Sequence, residues 1–206
     1  MTVSAIPCLT KAIDFTRNQY PELYLRVLTC YSRCAKEAAS TLLDEMNVPV
    51  DLLRPFAIAW TYIDSKKAIS LAMNDEETLK EIAIRVASYN VSLAISISAR
   101  IKNPALIEEV DKAVIENMDP AKAIDFIYIY YDEKRKVALQ VHLLWVLAKK
   151  DPSSLYTKNL FYCLKQADNN LLGQEGCAKF IEAAALIGEL KNDPKLWIER
   201  ANIGLR

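Results

Sequence analysis

The stretch that decides the fold is DPAKAIDFIYIYYDEKRKVALQVHLLWVLAKKDP, residues 119–152. It begins with an Asp-Pro pair, an N-cap residue followed by the proline that suits the first position of a helix. A charged block at residues 132–136 separates two apolar runs, and the second run, residues 137–148, is apolar in nearly every direction around a helix. A helix of that kind has to be buried. The stretch therefore predicts a helical hairpin whose second arm is a central element of the core.

The placement of glycine extends this prediction to the rest of the chain. Only four of the 206 residues are glycine, and the first of them is Gly173. A chain rich in β-hairpins would need glycine in its turns. We therefore expect an all-α fold of about nine or ten helices in consecutive antiparallel hairpins, arranged as a bundle or a short solenoid-like array.

Helical spacing of apolar residues, with Asp, Asn or Pro at the starts, locates these helices. We predict helices over residues 4–17, 21–46, 51–73, 74–97, 103–117, 119–131, 137–148, 152–167 and 175–191, and a last one from 193 onward. Residues 91–97 alternate like a strand, but we favour helix because the preceding cap and apolar stripe run into them without a break. A polar loop is expected at residues 168–176.

Length and charge limit the domain organisation and the partners. The 206 residues fit a single domain, 1–206, with sub-halves 1–102, an N-terminal bundle, and 103–206, a C-terminal array of helical hairpins. The formal net charge is zero, so the whole molecule does not attract nucleic acid or an anionic membrane. No apolar run is long enough to span a bilayer. Residues 1–8 lack the pattern of a signal peptide, and five cysteines without a CxxC pair favour reduced thiols in the cytoplasm.

Three of the predicted turns share a local pattern in which an apolar residue precedes an Asp-Pro pair. They are Ile115-x3-Asp119-Pro120, Leu147-x3-Asp151-Pro152 and Leu190-x2-Asp193-Pro194. This pattern, and the stretch NDPKLWIER at residues 192–200, resembles the inter-helix turn of HEAT-type α-helical repeats, within residues 104–206. HEAT arrays bind partners on a concave face, so the resemblance implies a binding module. The alternative is that Asp-Pro is a favourable start for any helix.

The residues needed for catalysis or for cofactor binding do not form a recognisable set. His142 is the single histidine, and its position in the most apolar helix predicts a buried, structural side chain. Cys30 and Cys34 lie one turn apart and could supply half a zinc site, but packing as small apolar residues is the favoured alternative. No phosphate-binding glycine motif is present. We therefore predict no catalytic residue, no metal and no cofactor.

Basic and aromatic residues come together in and just after the central hairpin, and they are the predicted partner-binding residues. These are Tyr128, Tyr130, Tyr131, Lys134, Arg135 and Tyr156. Such a set could stack on single-stranded nucleic acid, but carboxylates adjoin each basic cluster, and tyrosine also suits protein interfaces.

Three classes of function follow. A non-catalytic protein-interaction or scaffold module is favoured, with another protein or a copy of this chain as partner. A nucleic-acid-binding helical protein and an enzyme with a pocket in a helical bundle remain as alternatives. The favoured class rests on the predicted helix hairpins and on the lack of a recognisable catalytic set. The predicted helices 74–97 and 137–148 both carry apolar residues on more than one side. Because two such helices compete for one interior, we expect an apolar face to be left over for a partner. The alternative is that both helices cross inside a single core and that the surface is polar everywhere.

Overall fold

The computed structural model describes residues 6–17, 19–129 and 132–204, and these residues are all-helical, with no strand among them. They form thirteen α-helices. In chain order these are α1 (Ile6–Thr16), α2 (Pro21–Tyr31), α3 (Lys36–Asp44), α4 (Leu53–Ala59), α5 (Ser65–Ala72), α6 (Glu76–Ala87), α7 (Val91–Ser98), α8 (Pro104–Glu116), α9 (Pro120–Tyr128), α10 (Glu133–Lys150), α11 (Leu155–Lys165), α12 (Asn169–Ile187) and α13 (Pro194–Gly204). The all-α prediction is confirmed, and the expected number of nine or ten helices is too low.

The number is too low because three predicted helices are each divided into two. Residues 21–46 break between α2 and α3, residues 51–73 between α4 and α5, and residues 74–97 between α6 and α7. Two of the breaks carry a side-chain cap. Asp64 accepts hydrogen bonds from the backbone N–H groups of the first turn of α5, at 3.0 and 3.1 Å. Asn90 accepts one from Leu93 at 3.0 Å. Asp and Asn satisfy exposed N–H groups at a helix start, so each favours a new helix within an otherwise periodic stretch.

Two boundaries in the C-terminal part also differ from expectation. Asp151-Pro152 forms a turn and not a helix start, because Ser154 caps α11 by accepting a hydrogen bond from the backbone N–H of Thr157 at 3.1 Å. The polar loop expected at residues 168–176 is mostly helical. It begins α12, which is kinked at Gly173, where φ is +65°, a value that favours glycine.

The chain divides into two compact units, Met1–Val110 and Asp111–Arg206, called unit 1 and unit 2 below. In unit 1, α2 packs against α1 and α4, and α6 packs against α4, α5 and α7. Its core includes Leu25, Leu28, Leu79 and Ile82, which have almost no exposed surface. The division that the sequence suggests, between residues 102 and 103, stays a prediction; the boundary between the units falls within α8.

Unit 2 is organised around α10, which packs against α9, α11 and α12, while α12 also contacts α13. Both Leu139 and Leu144 of α10 are completely buried, as the apolar character of this segment predicts. Next to α10 lies an aromatic stack. The ring centroids of Phe161 and Phe180 are 5.2 Å apart, and those of Phe180 and Trp197 are 5.8 Å apart.

A buried arginine joins the last helix to this core. Arg200 of α13 has 0 % exposure, and its guanidinium carbon lies 4.3 Å from the centroid of the Phe180 ring. It donates hydrogen bonds to the backbone carbonyls of Leu164, Lys165 and Ala167 at the C-terminal end of α11, and to the side-chain oxygen of Asn169. A helix C-terminus carries partial negative charge, so it stabilises this cation, which has no carboxylate partner among the described residues.

Candidate functional site

A groove of about 420 Å³ in unit 2 contains one of the predicted partner-binding residues. Tyr128, the last residue of α9, lines it with Lys136 and Gln140 of α10 and Cys163 of α11. The Tyr128 side chain is 61 % exposed, and the Lys136 ammonium nitrogen lies 5.9 Å from its ring centroid. The groove thus has an aromatic wall, a free thiol and a lysine paired with Glu133, and it is open to a partner.

The outward face of α11 adds further apolar surface. Leu155 is 71 % exposed, and Tyr156 and Tyr162 are each about half exposed. Leu155 and Tyr162 are seven residues apart, as are Tyr156 and Cys163, so the two side chains within each pair point in nearly the same direction. The Tyr162 hydroxyl donates a hydrogen bond to Glu189 at 3.1 Å, and this carboxylate raises the pKa of the tyrosine. Tyr128, Leu155, Tyr156 and Tyr162 are called the tyrosine surface below.

The other predicted partner-binding residues are placed differently. Lys134 is exposed in the first turn of α10. Arg135 is turned toward the protein, where its guanidinium pairs with Asp111, a carboxylate whose side chain is 3 % exposed. Tyr130 and Tyr131 lie outside the described residues. Tyr128 and α11 therefore meet at one groove, whereas Arg135 anchors α10 to α8.

Sequence reasoning did not select Leu155 and Tyr162. A sequence signal for them was present, because the spacing of the apolar residues Leu160, Phe161 and Leu164 places these three on one side of a helix. In the structure they are buried and form the inner side of α11. Residues 155 and 162 lie away from that side when the helix is laid out at 3.6 residues per turn.

His142 lies in a polar cluster between α8, α10 and α12 and is only 6 % exposed, as predicted. Its Nε2 is 2.6 Å from a carboxylate oxygen of Glu116, and its Nδ1 is 3.0 Å from the ammonium of Lys179. The ammonium can only donate, so Nδ1 accepts and Nε2–H donates to Glu116. Burial is the main cause that lowers the pKa of His142, and Glu116 opposes this effect while Lys179 and Lys112 add to it.

The same cluster continues outward through Trp145. The indole N–H donates to Glu182 at 2.7 Å, and the ammonium of Lys149 lies 3.0 Å from that carboxylate and 3.6 Å from the indole ring centroid. These contacts lower the pKa of Glu182, with the Trp145 hydrogen bond as the largest cause. Both ring nitrogens of His142 therefore have hydrogen-bond partners, in a cluster where lysines and glutamates balance each other's charge. His142 does not line the Tyr128 groove.

In the described parts of the chain, no three His, Cys, Asp or Glu side chains are grouped so that they could hold a metal ion. Neither Cys30 nor Cys34 forms a disulfide bond within the described residues. None of the helices over the described ranges combines the length and the hydropathy needed to cross a membrane.

Comparisons with models of known protein families, with curated proteins and with solved structures found no match for this chain.

Proposed function

We propose that this protein is a non-catalytic helical module that binds another protein through the tyrosine surface of unit 2. The observation that carries the proposal is the outward face of α11, where Leu155 is 71 % exposed and two half-exposed tyrosines follow within two turns. Tyrosine is enriched at protein interfaces because its ring is apolar and its hydroxyl can still find a hydrogen-bond partner. The zero net charge of the chain gives no general repulsion between copies.

The packing of the helices supports a short array of hairpins as the scaffold for this surface. Helices that are two apart in chain order pack against each other: α2 against α4 and α4 against α6 in unit 1, and α10 against α12 in unit 2. Helical arrays related to the HEAT type stack helix pairs in this way and use their exposed side for binding. The HEAT resemblance and a cytoplasmic setting are part of this proposal, and the lack of a disulfide bond among the described residues agrees with the latter.

Binding of nucleic acid is the less favoured function because the basic clusters are paired with carboxylates. Lys67 lies 2.8 Å from Asp44, and Lys136 lies 2.8 Å from Glu133. A phosphate-binding face needs cations that are not already neutralised. Catalysis is also less favoured, because His142 would have to lose its bond to Lys179 before Nδ1 could accept a proton from a substrate.

The test is light scattering after size exclusion at micromolar concentration, followed by proximity labelling in cells of the native host. The variants are Leu155→Glu with Tyr162→Glu, and the matched control is Val50→Glu, which changes an 84 % exposed apolar residue of unit 1. A particle of twice the 23.3 kDa chain mass identifies a second copy as the partner, and the double variant is then monomeric.

If the wild type is monomeric, the proposal requires at least one labelled protein that is lost in the double variant and kept in the control. A monomer whose labelled neighbours are identical in all three chains contradicts the proposal.

A further inference from the structure

Unit 1 contains a second groove, of about 680 Å³, that has a different chemistry from the tyrosine surface. Three arginines line it, and each comes from a different helix: Arg26 from α2, Arg54 from α4 and Arg85 from α6. The floor and the rim include apolar atoms of Pro55 and Ile58. The volume lies within the range of small-molecule sites in proteins.

The three guanidinium groups are poorly satisfied by the protein itself. Within the described residues, Arg26 makes no hydrogen bond and no ion pair. Arg54 and Arg85 have only long ion pairs, of 3.8 Å to Glu77 and 3.6 Å to Glu81. In addition, Nε of Arg85 is buried without a hydrogen-bond partner. A guanidinium offers five N–H donors in a fork that matches the oxygens of a carboxylate or phosphate, so most of this donor capacity is unused.

Carboxylates line the same groove, and they limit the kind of ligand that fits. Glu22, Asp51 and Glu81 balance the three arginines, so the lining carries no net charge. The Glu22 and Asp51 side chains have no ion-pair partner among the described residues. A polyanion would be repelled by these acids as strongly as it is attracted by the arginines. A small molecule with charges of both signs can pair with both sets.

We infer that this groove binds a small zwitterion, with its oxyanion on Arg26, Arg54 and Arg85 and its ammonium group on Glu22 or Asp51. The shared chemistry of a phosphate and a carboxylate fits the arginines, and the probes below distinguish the two.

Cys30 gives a direct readout, because it is an exposed free thiol that lines the groove. The experiment measures the rate at which iodoacetamide alkylates Cys30, by peptide mass spectrometry on the full chain. Cys163, an exposed thiol of unit 2, is the internal control. The probes are the zwitterions phosphoethanolamine and β-alanine. Inorganic phosphate, which carries only the anionic group, and ethanolamine, which carries only the ammonium group, are the controls.

At about 10 mM of the better zwitterion we expect alkylation of Cys30 to slow about tenfold, since a dissociation constant on the order of 1 mM is typical of a weak ionic fragment. Alkylation of Cys163 should not change. Arg26→Gln should abolish the protection while leaving the fold intact, because Arg26 has no partner in the protein. Lys11→Gln, the loss of an exposed charge elsewhere in unit 1, should keep it.

Two further results complete the test. Glu22→Gln with Asp51→Asn should reduce protection by the zwitterion to the level of its oxyanion alone. The inference is overturned if neither zwitterion protects Cys30, if Arg26→Gln is protected like the wild type, or if inorganic phosphate alone protects as well as phosphoethanolamine. None of these outcomes depends on the tyrosine surface.

Discussion

The helix α10 and the pair α6–α7 have similar sequences in one respect, since both carry apolar residues in more than one direction. They fold differently. α10 remains a single helix of 18 residues, whereas residues 76–98 form one helix of 12 residues and another of 8. The break at residues 88–90 lets each shorter helix turn its own apolar side inward: Ile82 and Val86 of α6 and Ala94 and Ile97 of α7 are buried.

The difference shows two ways of burying an apolar segment that has no single inner face. α10 is surrounded by α9, α11 and α12, so it needs no polar side. The α6–α7 segment is divided by a cap, and Val91 and Ile95 become half-buried. Exposed large apolar side chains occur on other segments of the described chain, among them α11 and the end of α9.

The largest effect should come from removing a core leucine of α10. Leu144→Ala deletes a completely buried side chain, and we expect the free energy of unfolding to fall by about 2–5 kcal/mol. The same change at the half-buried Leu93 of α7 should cost about 1 kcal/mol. Urea denaturation followed by circular dichroism measures both. If both substitutions lowered the free energy of unfolding equally, the proposed difference in burial between α10 and the α6–α7 segment would be contradicted.

The second effect concerns the polar cluster on α10. We expect His142→Gln to lower the free energy of unfolding by about 1–2 kcal/mol at pH 7, because glutamine cannot reach both Glu116 and Lys179. Binding by the tyrosine surface should be kept. Loss of the biological activity with an unchanged fold would instead support the enzyme alternative.

The pH dependence of stability gives this variant a sharper test. Burial lowers the pKa of His142 in the folded protein below its ordinary value of 6.5, so the unfolded chain binds the proton more readily. The contribution of the neutral imidazole is complete above pH 6.5 and is lost as the pH falls through the folded pKa. Glu175 and Glu182 have pKa values below 4.5, so they titrate at lower pH. As the pH is lowered from 7 to 5, the urea midpoint of the wild type should decrease more steeply than that of His142→Gln. Parallel curves of midpoint against pH would contradict this assignment.

The smallest effect should come from the cap between α6 and α7. Asn90→Ala removes the acceptor for the N–H of Leu93 and should cost about 1 kcal/mol. Ser92→Ala, an exposed change in the first turn of α7, is the control. If residues 76–98 formed one continuous helix in solution, Asn90→Ala would stabilise the protein, because alanine has the higher helix propensity.

The sequence was most informative where local chemistry and burial agree. The Asp-Pro start of α9, the charged first turn of α10 and the apolar run that follows each favour the structure that is observed, and the burial of His142 follows from them. The break between α2 and α3 was not predictable in this way, because residues 32–35 contain neither proline nor glycine and no side chain caps α3. Tertiary packing decides such a boundary.

The candidate sites show the same limit. Tyr128 and Tyr156 are exposed, because neither lies in the buried stripe of its helix, and their role in binding stays a prediction. The inward position of Arg135 depends on Asp111, which is 24 residues away in the chain, and the groove of unit 1 depends on three helices meeting. Neither arrangement has a local sequence signal.

The buried arginine of α13 has a consequence for the order of folding. The carbonyls at the end of α11 receive their donors from Arg200, which follows Lys165 by 35 residues. Before α13 docks, the carbonyls of Lys165 and Ala167 lack this donor, whereas the carbonyl of Leu164 still accepts from the backbone N–H of Ala167 at 3.0 Å, so the last turn of α11 should be less stable. Completion of α11 and docking of α13 then become one cooperative event, and the amide protons in that turn should exchange with solvent at the rate at which α13 detaches.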